Sequence, residues 1–266
     1  MSSADTVANR GSAGLALGTG RHTWLVSPEH VDLAPPEAAP CKVTIQADPQ
    51  NITVDLTRTA IIVVDMQNDF CAPGGWVDNL GADLTPERAP IAPLQALMPA
   101  LRKVDVPIIW LNWGNRPDRL NLAPGVLHCF NPDGKSVGIG DPMPATGARV
   151  LEKDSPSAAV VEELVSRPGD ISVDKYRISG FWDTPLDSIL RNLNVRTLLF
   201  TGVNIDQCVL HSLTDAGFLG YGCVLVEDCC GTTSPDYCTQ ATIYNVKTVF
   251  GFVTRSAEIL AALATL

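Results

Sequence analysis

Positive charge is scarce in this chain: 19 Lys and Arg stand against 29 Asp and Glu over 266 residues, a formal net charge of −10. Without a Lys/Arg run, the sequence lacks the electrostatic footprint of a nucleic-acid or anionic-membrane binder. A small anionic substrate stays open, because one local cation can dominate a pocket. Long apolar runs are missing too, and none approaches a membrane span. The first residues offer only Arg10 and the short patch Leu15–Leu17, too little for a secretory signal core. There are four histidines, no two at metal-ligand spacing, so a zinc or iron site is not expected. The glycines form neither a P-loop nor a dinucleotide fingerprint, so no nucleotide cofactor is expected either. Eight cysteines fall well below the density of a disulfide-stapled scaffold. They form no pair of CxxC knuckles, and Cys229 and Cys230 are adjacent, a poor geometry for a bridge. These absences predict a soluble, cytoplasmic protein with free thiols, binding no nucleic acid, membrane, metal or cofactor.

What is present is core material: 45% hydrophobic and 18% charged residues exclude disorder throughout. Residues 1–55 differ in composition, Gly/Ser/Ala-rich first and then Pro-rich, and are predicted to be an extended arm lying against the body. Residues 56–266 read as one domain. Apolar runs at Ala60–Val64, Pro107–Leu111, Ile171–Val173, Thr197–Thr201, Gly222–Val226 and Thr248–Val253 predict strands. Helical patterns lie between them at about 90–103, 157–166, 185–193, 208–219 and 235–246, with a last one from 257. Thr184-Pro185 and Ser234-Pro235 each set a capping hydroxyl before a proline at a helix start. Pro99 is expected to kink or break its helix. The alternation predicts an α/β fold, three layers α/β/α around a six-stranded, mostly parallel sheet. Chemistry in such folds gathers at the carboxyl ends of the strands.

Three strand ends carry reactive side chains. Asp65 follows five apolar residues, where desolvation raises a carboxylate's pKa and makes it a better proton acceptor; a turn cap is the bland alternative. Lys175 ends the third strand and could pair with a carboxylate or face solvent. Cys208 follows the turn Gly202-Val-Asn-Ile-Asp-Gln at an expected helix start, where free N–H groups favour a thiolate and can receive an oxyanion. The remaining cysteines read as small buried hydrophobes. His211, one turn after Cys208, is a competing base whose ordinary role is a helix-surface contact.

Val64-Asp65-Met66-Gln67, Lys175 and Gly202-Val-Asn-Ile-Asp-Gln-Cys208 together resemble the isochorismatase-like cysteine hydrolases, from about Thr57 to the end of the chain. Asp65–Asp78 is similar to the first loop of ureidoacrylate and biuret hydrolases, and Ser179–Leu190 is similar to ureidoacrylate amidohydrolases. Gly114–Asp118, Gly138–Pro142 and Glu227–Gly231 are similar to biuret hydrolase. The resemblance implies the Rossmann-like isochorismatase fold and a metal-independent cleavage of a C–N bond in a small ureido, carbamoyl or carboxamide substrate. In it Cys208 is the nucleophile, Asp65 the base and then the acid, and Lys175 their electrostatic partner. The backbone N–H groups of Asn204 and Cys208 form the oxyanion hole, after a cis Val203–Asn204 peptide. It also implies a homodimer or homotetramer. A planar ureide suits an aromatic slot, for which Phe70, Trp76, Trp113, Tyr176 and Trp182 are candidates. Asn112 and Arg177 are polar anchors, Arg177 reading a substrate carboxylate or making a surface ion pair. Two other readings remain: an isochorismate-type vinyl ether hydrolase, which need not retain the cysteine, and a binding protein on the same fold, which need not retain all three residues.

Overall fold

The structure, a computed structural model, describes residues 14–19, 22–34 and 38–266. Parts of the predicted arm, 1–13, 20–21 and 35–37, lie outside these. In place of an extended arm, strands β1 (Leu15–Thr19), β2 (His22–Val26) and β3 (Val31–Asp32) form a small antiparallel sheet. After it, β4 (Lys42–Ile45) and β5 (Ile52–Asp55) pair as an antiparallel hairpin. The period-2 pattern decides how that hairpin docks: Val43, Ile45, Ile52 and Val54 are buried in the core, while Lys42, Thr44 and Thr53 face outward.

The central sheet contains β6 (Thr59–Val64), β7 (Ile108–Trp113), β8 (Ile171–Lys175), β9 (Thr197–Val203), β10 (Gly222–Gly231) and β11 (Phe252–Thr254). Its order is β11-β10-β9-β6-β7-β8, and every pairing is parallel. All six residues of β6 are buried, as expected of a strand covered on both faces. Each buried Ile or Val side chain of that run contributes about 1.5–3 kcal/mol. The chain enters at β6, adds β7 and β8 on one side, then returns to place β9 on the other. The carboxyl ends of β6 and β9 therefore flank the point where strand order reverses, the crevice in which open α/β sheets bind ligands.

Nine α-helices surround the sheet among the described residues: α1 (Asn68–Cys71), α2 (Trp76–Asn79), α3 (Thr85–Arg88), α4 (Ile91–Lys103), α5 (Pro124–Cys129), α6 (Leu186–Asn192), α7 (Leu210–Phe218), α8 (Asp236–Asn245) and α9 (Ser256–Leu263). Helices α4 and α9, one from each half of the sheet, pack side by side, while α7 packs on β10. Helix α4 runs through Pro99, held by buried Leu94, Leu97, Met98 and Leu101. No helix in the described residues is long and apolar enough to cross a membrane.

Three expected elements differ. Residues 157–166 form no α-helix: Val161 N donates to Met66 O at 3.0 Å and Ala159 O accepts from Asn68 N at 2.8 Å, so this backbone serves the loop after β6. The last strand is shorter than Thr248–Val253, because Val246–Phe250 continues α8 as a π turn. The helix expected from Cys208 begins three residues earlier, as a π turn over Ile205–Val209 leading into α7. Thr184 caps as expected, accepting from Leu186 N at 3.1 Å, whereas no side-chain cap bond closes the start of α8.

Candidate active site

Asp65 leaves β6 with φ at 49°, a left-handed conformation that Asp tolerates better than most residues, and its N–H donates to Leu111 O on β7 at 2.9 Å. The kink turns the carboxylate inward. Two strands away, Lys175 ends β8 and reaches across Trp113 at the end of β7, its Nζ 4.4 Å from the indole centroid. Lys175 Nζ lies 2.7 Å from Asp65 Oδ2 and donates to Cys208 Sγ at 3.2 Å. Asp65 and Lys175 have no exposed surface, and Cys208 only 5%. Three side chains distant in sequence thus meet within one contact of each other.

Cys208 is placed by the close approach of β9 to β6. Gly202 has φ of +103°, and a Cβ there would lie 2.0 Å from Val64 O, so only glycine lets the chain cross and turn. The Val203–Asn204 peptide that follows is cis. Burial pushes the Cys208 thiol up to about 12, with the Lys175 ammonium opposing and the Asp65 carboxylate adding to the rise. A thiolate favoured by the helix start is the sequence expectation; burial and the neighbouring carboxylate outweigh that start, and the resting group is a thiol. Burial also raises Asp65, against the pull of Lys175. Lys175 itself is lowered by burial, but the Asp65 charge and its hydrogen bonds to Asp65 and Cys208 more than offset this and keep it an ammonium. A neutral nucleophile, a carboxylate of raised basicity within reach of its proton and a fixed cation can perform general-base-assisted addition to a carbonyl.

Above Cys208 lies a cavity of about 180 Å³, close to the size that admits a benzene-sized molecule. Phe70, Trp76, Phe130 and Trp113 wall it, in successive edge-to-face contacts with centroids 5.6 to 6.3 Å apart. Trp76 is pinned by its indole N–H to Val137 O at 2.7 Å, and Trp113 by Gln67, which bonds both its N–H and its carbonyl at 2.8 Å. Asn204, Gln207 and Thr233 form the polar end. No charged side chain lines the cavity among the described residues.

The structure therefore brings Asp65, Lys175, Cys208, Asn204, Phe70, Trp76 and Trp113 together. It places the other four candidates outside the cavity. Asn112 precedes Trp113 on β7, and alternation sends the two side chains to opposite faces. Tyr176 donates to Asp183 O at 3.2 Å and Arg177 pairs with Asp183 at 3.1 Å, because the chain leaves the sheet after Lys175 and folds back on that loop. Trp182 is 63% exposed and donates to Asp215. His211 bonds back to Gln207 O at 2.8 Å, a helix-surface contact. Phe130, Ile139 and Leu151 were not singled out by sequence, since they come from the loop-rich stretch between β7 and β8, where periodicity carries no signal. No group of three or more His, Cys, Asp or Glu among the described residues is arranged to hold a metal ion.

Similar chains are known. A cysteine hydrolase from Pseudomonas syringae pv. phaseolicola is 26% identical, covering 80% of this chain and 95% of its own, with a TM-score of 0.67. An isochorismatase family protein from Desulfovibrio vulgaris shares the fold at 24% identity and a TM-score of 0.63, over 78% of this chain and 98% of its own. So does an N-carbamoylsarcosine amidase from Thermoplasma acidophilum, at 24% identity and 0.58, over 76% and 98%. The isochorismatase domain matches residues 59–258, three-quarters of the chain and the whole span from β6 into α9. The chain belongs to the isochorismatase family of hydrolases.

Proposed function

We propose that this protein is a metal-independent cysteine amidohydrolase that cleaves a C–N bond of a small ureido, carbamoyl or carboxamide substrate, releasing ammonia or an amine. The observation that carries this reading is the contact of Cys208 with Lys175 at 3.2 Å and of Lys175 with Asp65 at 2.7 Å, under a cavity that only the cysteine of the three lines. Cys208 Sγ attacks the substrate carbonyl carbon as Asp65 takes the thiol proton. The electron pair of the C=O moves onto oxygen, facing the backbone N–H groups of Asn204 and Cys208; one such donor is worth about 3–4 kcal/mol of barrier. Collapse breaks the C–N bond, and the proton held by Asp65 passes to the departing nitrogen. Water, deprotonated by Asp65, then hydrolyses the thioester or S-carbamoyl intermediate and returns the thiol. Lys175 stays charged throughout and stabilises each anionic stage.

The uncharged aromatic lining supports a neutral substrate over one bearing a carboxylate. All eight cysteines are free, which fits the proposed cytoplasmic location. An ammonia-release screen over ureidoacrylate, biuret, N-carbamoyl amino acids and simple aromatic and aliphatic amides identifies the substrate, with turnover expected in the presence of a chelator. Cys208→Ala should abolish that turnover with the thermal midpoint retained. Undiminished release by this variant would remove Cys208 from the chemistry.

A further inference from the structure

Glu87, on α3, is fully buried although nothing in the reaction above uses it. Its Oε1 accepts from Thr233 N at 3.1 Å. On its other side stands the side-chain amide of Asn204; with the amide assigned so that its nitrogen, not its oxygen, faces the carboxyl group, it donates to both carboxyl oxygens, at 3.2 Å to Oε2 and closer to Oε1. Asn204 and Thr233 are two of the three residues that form the polar end of the cavity. Helix α3 is fixed in turn, because Gly231 at the end of β10 lets Pro86 O approach to where a Cβ would sit, 2.0 Å away. One acid, held by a helix seated on β10, therefore ties together the two chain segments that leave β9 and β10 and flank the nucleophile.

We propose that Glu87 is a positioning residue for the oxyanion site: it holds Asn204, and with it the N–H that would face the substrate oxygen, in register with Cys208. The charged and titratable groups facing it are Asp206 on the π turn, Asp65 after β6 and Cys71 on α1, all acids. The neighbouring Arg88 is occupied by Glu163 and Cys71 O, so no cation competes for Glu87. A carboxyl group kept neutral there still offers Oε1 to both donors, a role that glutamine reproduces and an apolar side chain does not.

The inference rests on the amidohydrolase reading only in taking Cys208 as the nucleophile, and it is tested with and without turnover. Benzaldehyde suits the aromatic cavity: the Cys208 sulfur adds to its carbonyl carbon, the C=O pair moves onto oxygen, and the thiol proton ends on Asp65 or on that oxygen. Its affinity therefore reports the oxyanion site without any C–N cleavage. Glu87→Met, which fills the same volume without an acceptor, should lower kcat and benzaldehyde affinity at least tenfold, with KM moving less than threefold. Glu87→Gln should stay within threefold of the parent in all three. In an Asn204→Ala background, Glu87→Met should cause no further loss, because the tie is already cut. Should Glu87→Met fold poorly, Asn204→Ala alone cuts the same tie from the other side and should lower kcat and benzaldehyde affinity at least tenfold; unchanged values in it would overturn the proposal as well. Unchanged aldehyde affinity in Glu87→Met, a loss confined to KM, or full additivity with Asn204→Ala would each overturn the proposal. A parent enzyme that binds the aldehyde through Cys208 but hydrolyses no amide or ureide would sink the amidohydrolase reading and leave the Glu87 comparison standing. A parent that does not bind the aldehyde would sink both.

Discussion

Lys175 is an ammonium with no exposed surface, so its two partners are what make its burial tolerable. Removing one member of a buried ion pair leaves the other uncompensated, at a cost of about 3–5 kcal/mol, whereas removing both is often near neutral. Lys175→Met is therefore expected to lose about that much in urea denaturation at pH 8. Asp65→Asn in the same chain should restore most of it; a loss that persists in the double variant would mean that Lys175 stabilises through packing alone. Glu87 offers a pH test of the opposite kind. Burial raises its pKa from 4.5 to about 8, opposed by the Thr233 N–H and helped by the Asp206 and Asp65 charges. The unfolded chain ionises near the lower value and the folded protein near the higher. The stability gained by keeping Glu87 neutral is thus fully present below about pH 4.5 and lost as pH rises to about 8. Glutamine does not titrate, so the stability of Glu87→Gln relative to the parent should grow between these limits and level off above them. A constant difference across the range would show that Glu87 ionises normally. An acid in the first turn of a helix reads from sequence as an exposed dipole partner, which is why neither its burial nor its position was legible.

At the scale of elements, the strands of the central sheet were legible because strands buried on both faces are short, continuous runs of Val, Ile and Leu. Helix ends were legible where chemistry marks them, as at Thr184-Pro185. The stretch 157–166 misled because its apolar spacing suits a helix while its backbone groups bond to the loop after β6. Such pairing has no local signature. The β9–β6 crossing is the element-scale feature on which the site depends most. Gly202→Ala would place a methyl 2.0 Å from Val64 O at a φ of +103°, and it is expected to cost several kcal/mol through backbone strain. The same change should displace Cys208 from Lys175, with denaturation and residual turnover falling together; a stable variant of full activity would show that the crossing has slack.

At the scale of the molecule, the hairpin of β4 and β5 belongs to the core, so a deletion can remove residues 1–34 but not 1–50. Leu15, Leu17 and Trp24 of the small sheet are about half exposed, and we propose that this sheet helps a homodimer or homotetramer to form. Light scattering should report a dimer or tetramer for the full chain and a smaller species for the chain lacking residues 1–34. An unchanged mass would acquit the segment. The amino-acid sequence alone determined the class of fold, through the alternation of buried runs and helical patterns, and it singled out Asp65, Lys175 and Cys208 as candidates, because their types and strand-end positions are local properties; that the three meet was decided by the sheet order. Tertiary structure alone decided which way Cys208 titrates, since desolvation depends on everything packed around the thiol. It also decided which aromatics face the cavity and that Asn112, Tyr176, Arg177 and Trp182 do not, because those directions follow from strand pleat and from loops whose partners lie far along the chain.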